Sequence, residues 1–236
     1  MGSVATVSAM LPPVLLSACL LAWSLFANLG LGDRGYTVRN LALVVLLLAL
    51  ARALGLERGE LGLARTDAVA GLRWGVGATA VVTVVVVGGV VFEDVIGPLG
   101  ALLHDVRADL STGQLAYAVL VRIPLGTALF EEVAFRGLLL AAFLRATTTS
   151  RAVVLSSVVF GLWHVAPTIV ALRLNLVAPG SVEGLLAIVG GVLATTVGGA
   201  LFTWLRLRSG SLLAPLLAHW AVNGVGLVAA SMTIGG

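Results

Sequence analysis

The chain has 236 residues, of which 59% are hydrophobic and 11% charged, and its mean hydropathy is +1.10; an ordinary soluble domain is about 25% charged. A water-soluble core cannot hide that much apolar surface, so the composition excludes a soluble enzyme and reads as a single membrane domain over 1–236. All 14 basic residues are arginine, against 11 acids. They are scattered near helix ends, which suits a lipid bilayer with anionic headgroups and not nucleic acid, since the latter would want a clustered basic face.

In chain order, the first apolar run, Val14–Leu29, lacks a basic leading region and a cleavage site before Asp33, so it is kept as a membrane span and not a signal peptide. It contains Cys19, the one cysteine, which excludes an intramolecular disulfide and reads as a small buried residue. Runs long enough to cross a hydrocarbon core about 30 Å thick fall near residues 11–30, 40–56, 74–92, 116–144, 152–172, 184–205 and 211–232. The expected fold class is therefore an all-α polytopic transmembrane helical bundle of seven spans with short loops, eight being the alternative count. The second span is the shortest and carries Arg52. Residues 57–73 mix Glu57, Arg58, Glu60, Arg65, Asp67 and Arg73 with leucine and alanine, the pattern of an amphipathic segment on the membrane surface. The stretch 93–112, with Gly97, Pro98 and Gly100, reads as a loop. In the sixth span Gly190, Ala194 and Gly198 recur every four residues beside Gly191, Thr195 and Gly199, a pattern that lets another helix of the same molecule approach closely.

Arginine counting orients the bundle. Loops near 57–73, 145–151 and 206–210 hold seven arginines (Arg58, Arg65, Arg73, Arg145, Arg151, Arg206 and Arg208), and the opposite loops hold four (Arg34, Arg39, Arg107 and Arg173). Because arginine is retained on the cytoplasmic side, the N-terminus is expected in the cytoplasm and the C-terminus outside.

The fourth span carries Phe130-Glu131-Glu132-Val133-Ala134-Phe135-Arg136-Gly137 between apolar flanks. Each ionisable group at a helix centre costs about 2.5–3.5 kcal/mol unless it pairs or faces water. Glu132 and Arg136 stand four apart with the acid first, the favourable order for a pair on one face, so Arg136 is read as a structural counter-ion. Glu131 points about 100° away from Glu132 around an α-helix, free to face a cavity, and a carboxylate in an apolar site beside another one suits general-base work. A buried pair that only holds helices together accounts for Glu132 and Arg136 but leaves Glu131 unexplained.

The fifth span contains Phe160-Gly161-Leu162-Trp163-His164, and the seventh His219-Trp220-Ala221-Val222-Asn223, in which His219 and Asn223 share a face. Counted from the arginine-rich ends of their helices, Glu131, His164, His219 and Asn223 lie roughly 12–20 Å deep at 1.5 Å per residue. Helices of alternating direction thus bring a carboxylate, two imidazoles and an amide to one level, as a single polar pocket would require. Pro124 removes the bond to the carbonyl of Leu120 and should kink the fourth span ahead of the glutamates. Pro167 follows His164, and Pro215 is a first-turn proline.

These residues resemble the signature of the CPBP family, the CAAX proteases and bacteriocin-processing enzymes also called the Abi family: EExxxR as Glu131-Glu132-Val133-Ala134-Phe135-Arg136, FxxxH as Phe160 to His164, and HxxxN as His219 to Asn223. The resemblance covers about residues 116–225. It implies a glutamate-dependent intramembrane endopeptidase in which Glu131 activates a water with His164 assisting. His219 and Asn223 would donate to the oxyanion, and Glu132 and Arg136 would hold the geometry. The implied partner is a membrane-tethered peptide or protein substrate, CAAX-like or a small peptide. The implied setting is a prokaryotic cell membrane, with the site opening toward the cytoplasm, and no cofactor is expected. Two readings stand beside this one. Two glutamates and two histidines are also zinc ligands, although no HExxH is present and adjacent glutamates diverge. The same cluster would also serve a non-enzymatic transporter or a peptide-binding immunity protein, although no internal repeat is evident.

Overall fold

In a computed structural model that describes residues 2–91 and 106–234, with side chains over 8–90 and 107–232, every element is helical among the described residues. Helix α1 spans Gly2–Leu25 and runs into a wider turn, Phe26–Leu31, that ends at Gly32. α2 follows at Tyr36–Ala53 and α3 at Ala68–Val91. α4 is one continuous helix over 112–146. It alternates α-helical turns with two i→i+5 stretches, Ala118–Ala128 and Glu132–Leu139. α5 is Thr149–Trp163, α6 Val165–Leu174, α7 Val182–Ser209 and α8 Leu213–Ile234. Among the described residues, six stretches are long and apolar enough to cross a membrane, α5 and α6 together forming one of them. The long helix outside that set is α4, which carries the charged motif. The protein is an all-α polytopic membrane bundle, as its composition requires.

The three arginine-rich loops gather at one end of the bundle. Arg145 donates to both carboxylate oxygens of Glu60 at 2.6 Å and to the carbonyls of Leu54 and Gly55. Arg206 donates to the carbonyls of Gly59 and Glu60, and the Leu212 amide to Gly62. A Cβ at Gly62, whose φ is +73°, would overlap the Arg206 guanidinium, so glycine is required there on both counts. At the opposite end Arg122 grips Asp33 through two bonds of 2.7 and 2.8 Å, and these hydrogen bonds hold the Asp33 carboxyl below the usual carboxylate range.

Several expectations change. Residues 57–73, expected as one amphipathic segment, are not a single regular element. They fold into turns, a short 3-10 turn at Arg65–Asp67 and the start of α3, and Leu56 and Leu61 enter the core, because the arginine-to-carbonyl bonds tie the backbone down onto the helix ends. The fifth span is two helices hinged at His164. Cys19 is exposed on the outer face of α1, not buried; a lipid-facing helix surface is as apolar as the core, so hydropathy cannot separate the two. The expected loop over 93–112 lies outside the described residues as far as 105.

Two close helix pairs frame the site. α3 packs along α8 in the same direction. A Cβ at Gly71 would stand 2.6 Å from Ser211, one at Gly75 would stand 2.7 Å from Leu217, and Thr79 donates to the Leu217 carbonyl. α7 packs against α5 where a Cβ at Gly161 would overlap Thr196 and one at Gly199 would stand 3.0 Å from Phe160. The small-residue stripe of α7 is therefore divided. Gly191 and Gly199 serve packing inside the molecule, whereas Ala194, Thr195 and Gly198 line a cavity.

Candidate active site

Two prolines shape the backbone around the glutamates. In the i→i+5 stretch of α4, Pro124 has no N–H to offer the carbonyl five residues back, which is Val119. The indole of Trp220 on α8 donates to that carbonyl at 2.8 Å. The freed acceptor is thus Val119 and not Leu120, because the helix is wound wider than an α-helix. Pro167 likewise leaves the Trp163 carbonyl without its N–H, and the buried hydroxyl of Ser24 on α1 donates to it at 2.7 Å. Irregular backbone at membrane depth survives only when protein groups resupply its bonds, and here the resupply locks α8 to α4 and α1 to the hinge at His164.

On this frame the predicted residues meet. Glu131 is 6% exposed, Glu132 and Arg136 1% each, and His219 4%. Arg136 Nη1 donates to Glu132 Oε1 at 3.0 Å, and its Nη2 reaches the Gly199 carbonyl at 3.4 Å. Its guanidinium lies 3.9 Å from the centre of the Phe160 ring and 5.1 Å from that of Phe202, cation–π contacts that replace water around a buried charge. The His219 ring has its Nδ1 2.8 Å from Glu132 Oε1 and stacks on Phe202. His164 places Nδ1 2.7 Å from the Phe160 carbonyl. A carbonyl can only accept, so this nitrogen carries the proton and the neutral ring presents Nε2 as an acceptor.

Glu131 faces both rings. Its Oε2 lies 3.9 Å from His164 Nε2 and 3.7 Å from His219 Nε2. The indole of Trp163 donates to its Oε1 at 3.3 Å, while Oε2 is buried and takes no hydrogen bond from a protein donor. A buried carboxylate oxygen and two ring nitrogens therefore converge on one point, an arrangement able to exchange protons. His164, His219, Asn223 and Phe160 line a cavity of about 880 Å³ bounded by α3, α5, α7 and α8. Its remaining wall is largely aliphatic and aromatic, including Ala78, Val82, Leu201 and Phe202. Glu131 does not line this cavity and lies within 4 Å of the two rings that do.

All seven residues singled out from sequence, Glu131, Glu132, Arg136, Phe160, His164, His219 and Asn223, thus lie in or against one site. Asn223 is half-buried on the cavity wall. Sequence reasoning missed Trp163, Phe202, Ser24 and Trp220. Trp163 adjoins the FxxxH motif and Ser24 sits in an apolar run, but only the contact across helices gives either one a role. Among the described residues no group of three His, Cys, Asp or Glu side chains is set to hold a metal ion.

No curated protein and no solved structure matches the chain. Residues 113–225, which contain all three motifs, match the family model described as Type II CAAX prenyl endopeptidase Rce1-like. Over that segment the chain is similar to the Rce1-like type II CAAX prenyl endopeptidases, a family of proteases that hydrolyse peptide bonds.

Proposed function

We propose that the protein hydrolyses a peptide bond of a membrane-associated substrate with a water activated by Glu131. The observation that carries this is the approach of Glu131 Oε2 to His164 Nε2 and His219 Nε2, at 3.9 and 3.7 Å, beside a cavity large enough for a peptide segment. A water bound between Glu131 and His164 would give a proton to Glu131 as its oxygen bonds to the scissile carbonyl carbon. His164, neutral with Nε2 free, is positioned to take up that proton and pass it to the departing amine as the C–N bond breaks. His219, when its ring carries both protons, would donate from Nε2, together with the amide of Asn223, to the oxyanion. Glu132 and Arg136 would orient His219 without touching substrate.

The scheme calls on no metal. The cavity reaches Arg73 and Trp74 on the first turns of α3, toward the end of the bundle where the arginine-rich loops gather, which by the arginine rule would be the cytoplasmic end of a cell-membrane protein. The test is cleavage of a membrane-tethered peptide by purified protein in proteoliposomes, followed by mass spectrometry. Glu131→Gln and His164→Ala should abolish cleavage while the chain stays folded, and dialysis against a chelator should not. Full cleavage by Glu131→Gln would remove the proposal.

A further inference from the structure

Two consecutive residues at the α5–α6 hinge face the two oxygens of Glu131, and only His164 belongs to a motif. His164 Nε2 lies 3.9 Å from Oε2, and the indole Nε1 of Trp163 donates to Oε1 at 3.3 Å. Consecutive helix positions point about 100° apart, so the pair straddles the carboxylate. Among the described residues no other side chain donates to Oε1.

Trp163 is itself firmly held. It is 5% exposed, and its ring packs against Phe130 and Phe135 with centroids 5.6 and 5.5 Å away. Its carbonyl, freed by Pro167, accepts the Ser24 hydroxyl at 2.7 Å, which anchors the residue to α1. Trp163 is not part of the cavity wall, so it acts on the reaction only through Glu131.

The chemistry of indole gives this contact a direction. The torsion that turns a carboxylate is broad and two-fold, so a group held at neither oxygen exchanges them readily. The indole N–H donates and cannot accept. In a protonated carboxyl the carbonyl oxygen is the better acceptor, so the indole keeps Oε1 in that role and the proton resides on Oε2, the oxygen facing His164.

We propose that Trp163 is a positioning residue for hydrolysis, whose indole holds Oε1 of Glu131 so that the proton from water is taken and kept on Oε2. In that step a water O–H bond breaks and the water oxygen bonds to the scissile carbonyl carbon. The proton rests on Oε2 until His164 Nε2 takes it for the departing amine. This rests on the hydrolytic reading of the Glu131 site. Through Ser24 the arrangement draws in α1, which lies outside the residues that match the family model.

The test separates the donor from the ring. Trp163→Phe keeps an aromatic ring without the N–H, and the benzothiophene analogue of tryptophan at the same position keeps the bicyclic shape with sulfur in place of the N–H. With a membrane-tethered peptide in proteoliposomes, both should lower kcat about tenfold to hundredfold, as a misplaced reacting group does, and leave KM within about twofold. Independently of turnover, the indole N–H NMR resonance of Trp163, identified by its loss in Trp163→Phe, should shift in Glu131→Ala. It should stay in place in Glu183→Gln, a change at an exposed residue in the first turn of α7. Wild-type kcat with the benzothiophene analogue would overturn the proposal, because packing would then be the ring's whole role. A KM that rises as kcat falls, or a resonance indifferent to Glu131→Ala, would overturn it as well. If the resonance shifts in Glu131→Ala but the wild-type chain cuts no peptide, the hydrolytic reading fails and the hold of Trp163 on Glu131 stands.

Discussion

The two adjacent glutamates are predicted to fail in opposite ways. Glu132 is 1% exposed, and one of its oxygens meets both Arg136 at 3.0 Å and His219 at 2.8 Å. In Glu132→Gln the amide keeps the volume but removes the charge facing a guanidinium that is itself 1% exposed. Removing one partner of a buried pair costs about 3–5 kcal/mol because the other charge stays buried. At about 2–4 °C per kcal/mol for a chain of this size, the unfolding midpoint should fall by roughly 6–20 °C. Among the described residues Glu131 has no arginine partner, and its Oε2 takes no hydrogen bond. Glu131→Gln therefore replaces a costly buried charge with a neutral amide, and the midpoint should hold or rise while cleavage is lost. Thermal unfolding in detergent, followed by tryptophan fluorescence alongside a cleavage assay, measures both. Equal destabilisation by the two variants, or a stable Glu132→Gln, would refute the division into a reacting carboxylate and a structural one.

Other consequences follow from the same geometry. Ser24→Ala leaves the Trp163 carbonyl without a donor beside the His164 hinge; a stability loss of about 1 kcal/mol with roughly tenfold lower kcat is expected from paired unfolding and activity measurements. Gly161→Ala drives a methyl into Thr196 and to 2.7 Å from the Val192 carbonyl, so α5 and α7 should separate at a cost of about 1–3 kcal/mol, read as a lowered midpoint that Thr196→Ala partly restores. The hydrogen bonds from Arg145 hold the Glu60 carboxyl below its ordinary value of 4.5. The lowered value means that the stabilisation of the 54–64 loop is fully present above the ordinary value and is lost as pH falls through the lowered one. Protease nicking of that loop should rise on acidification in the wild type, and Glu60→Gln should be nicked readily at neutral pH.

Much of the site was legible in the sequence because charge in hydrocarbon is expensive. Glu131, Glu132, Arg136, His164 and His219 stand out against apolar surroundings, and regular helix rise is enough to bring them to one level. Where the helix is not regular the reading failed. Pro124 frees Val119 and not Leu120 because α4 is wound wider there, and no local pattern announces that winding. Cys19 went wrong for a different reason, since lipid and core are equally apolar.

By itself the sequence determined the membrane bundle, its long apolar helices and the residues too costly to be incidental, because hydrophobic length and the price of buried charge are properties of each segment alone. Only the tertiary structure decided the partners. Trp163 donates to Glu131, Phe202 lies under His219, Ser24 and Trp220 bond to the carbonyls left by the two prolines, and Arg73 shares a groove with the histidines. Those choices depend on which helix faces lie against one another. In a bilayer that is set by close packing and hydrogen bonds between helices and not by hydrophobicity, which is nearly uniform around each of them.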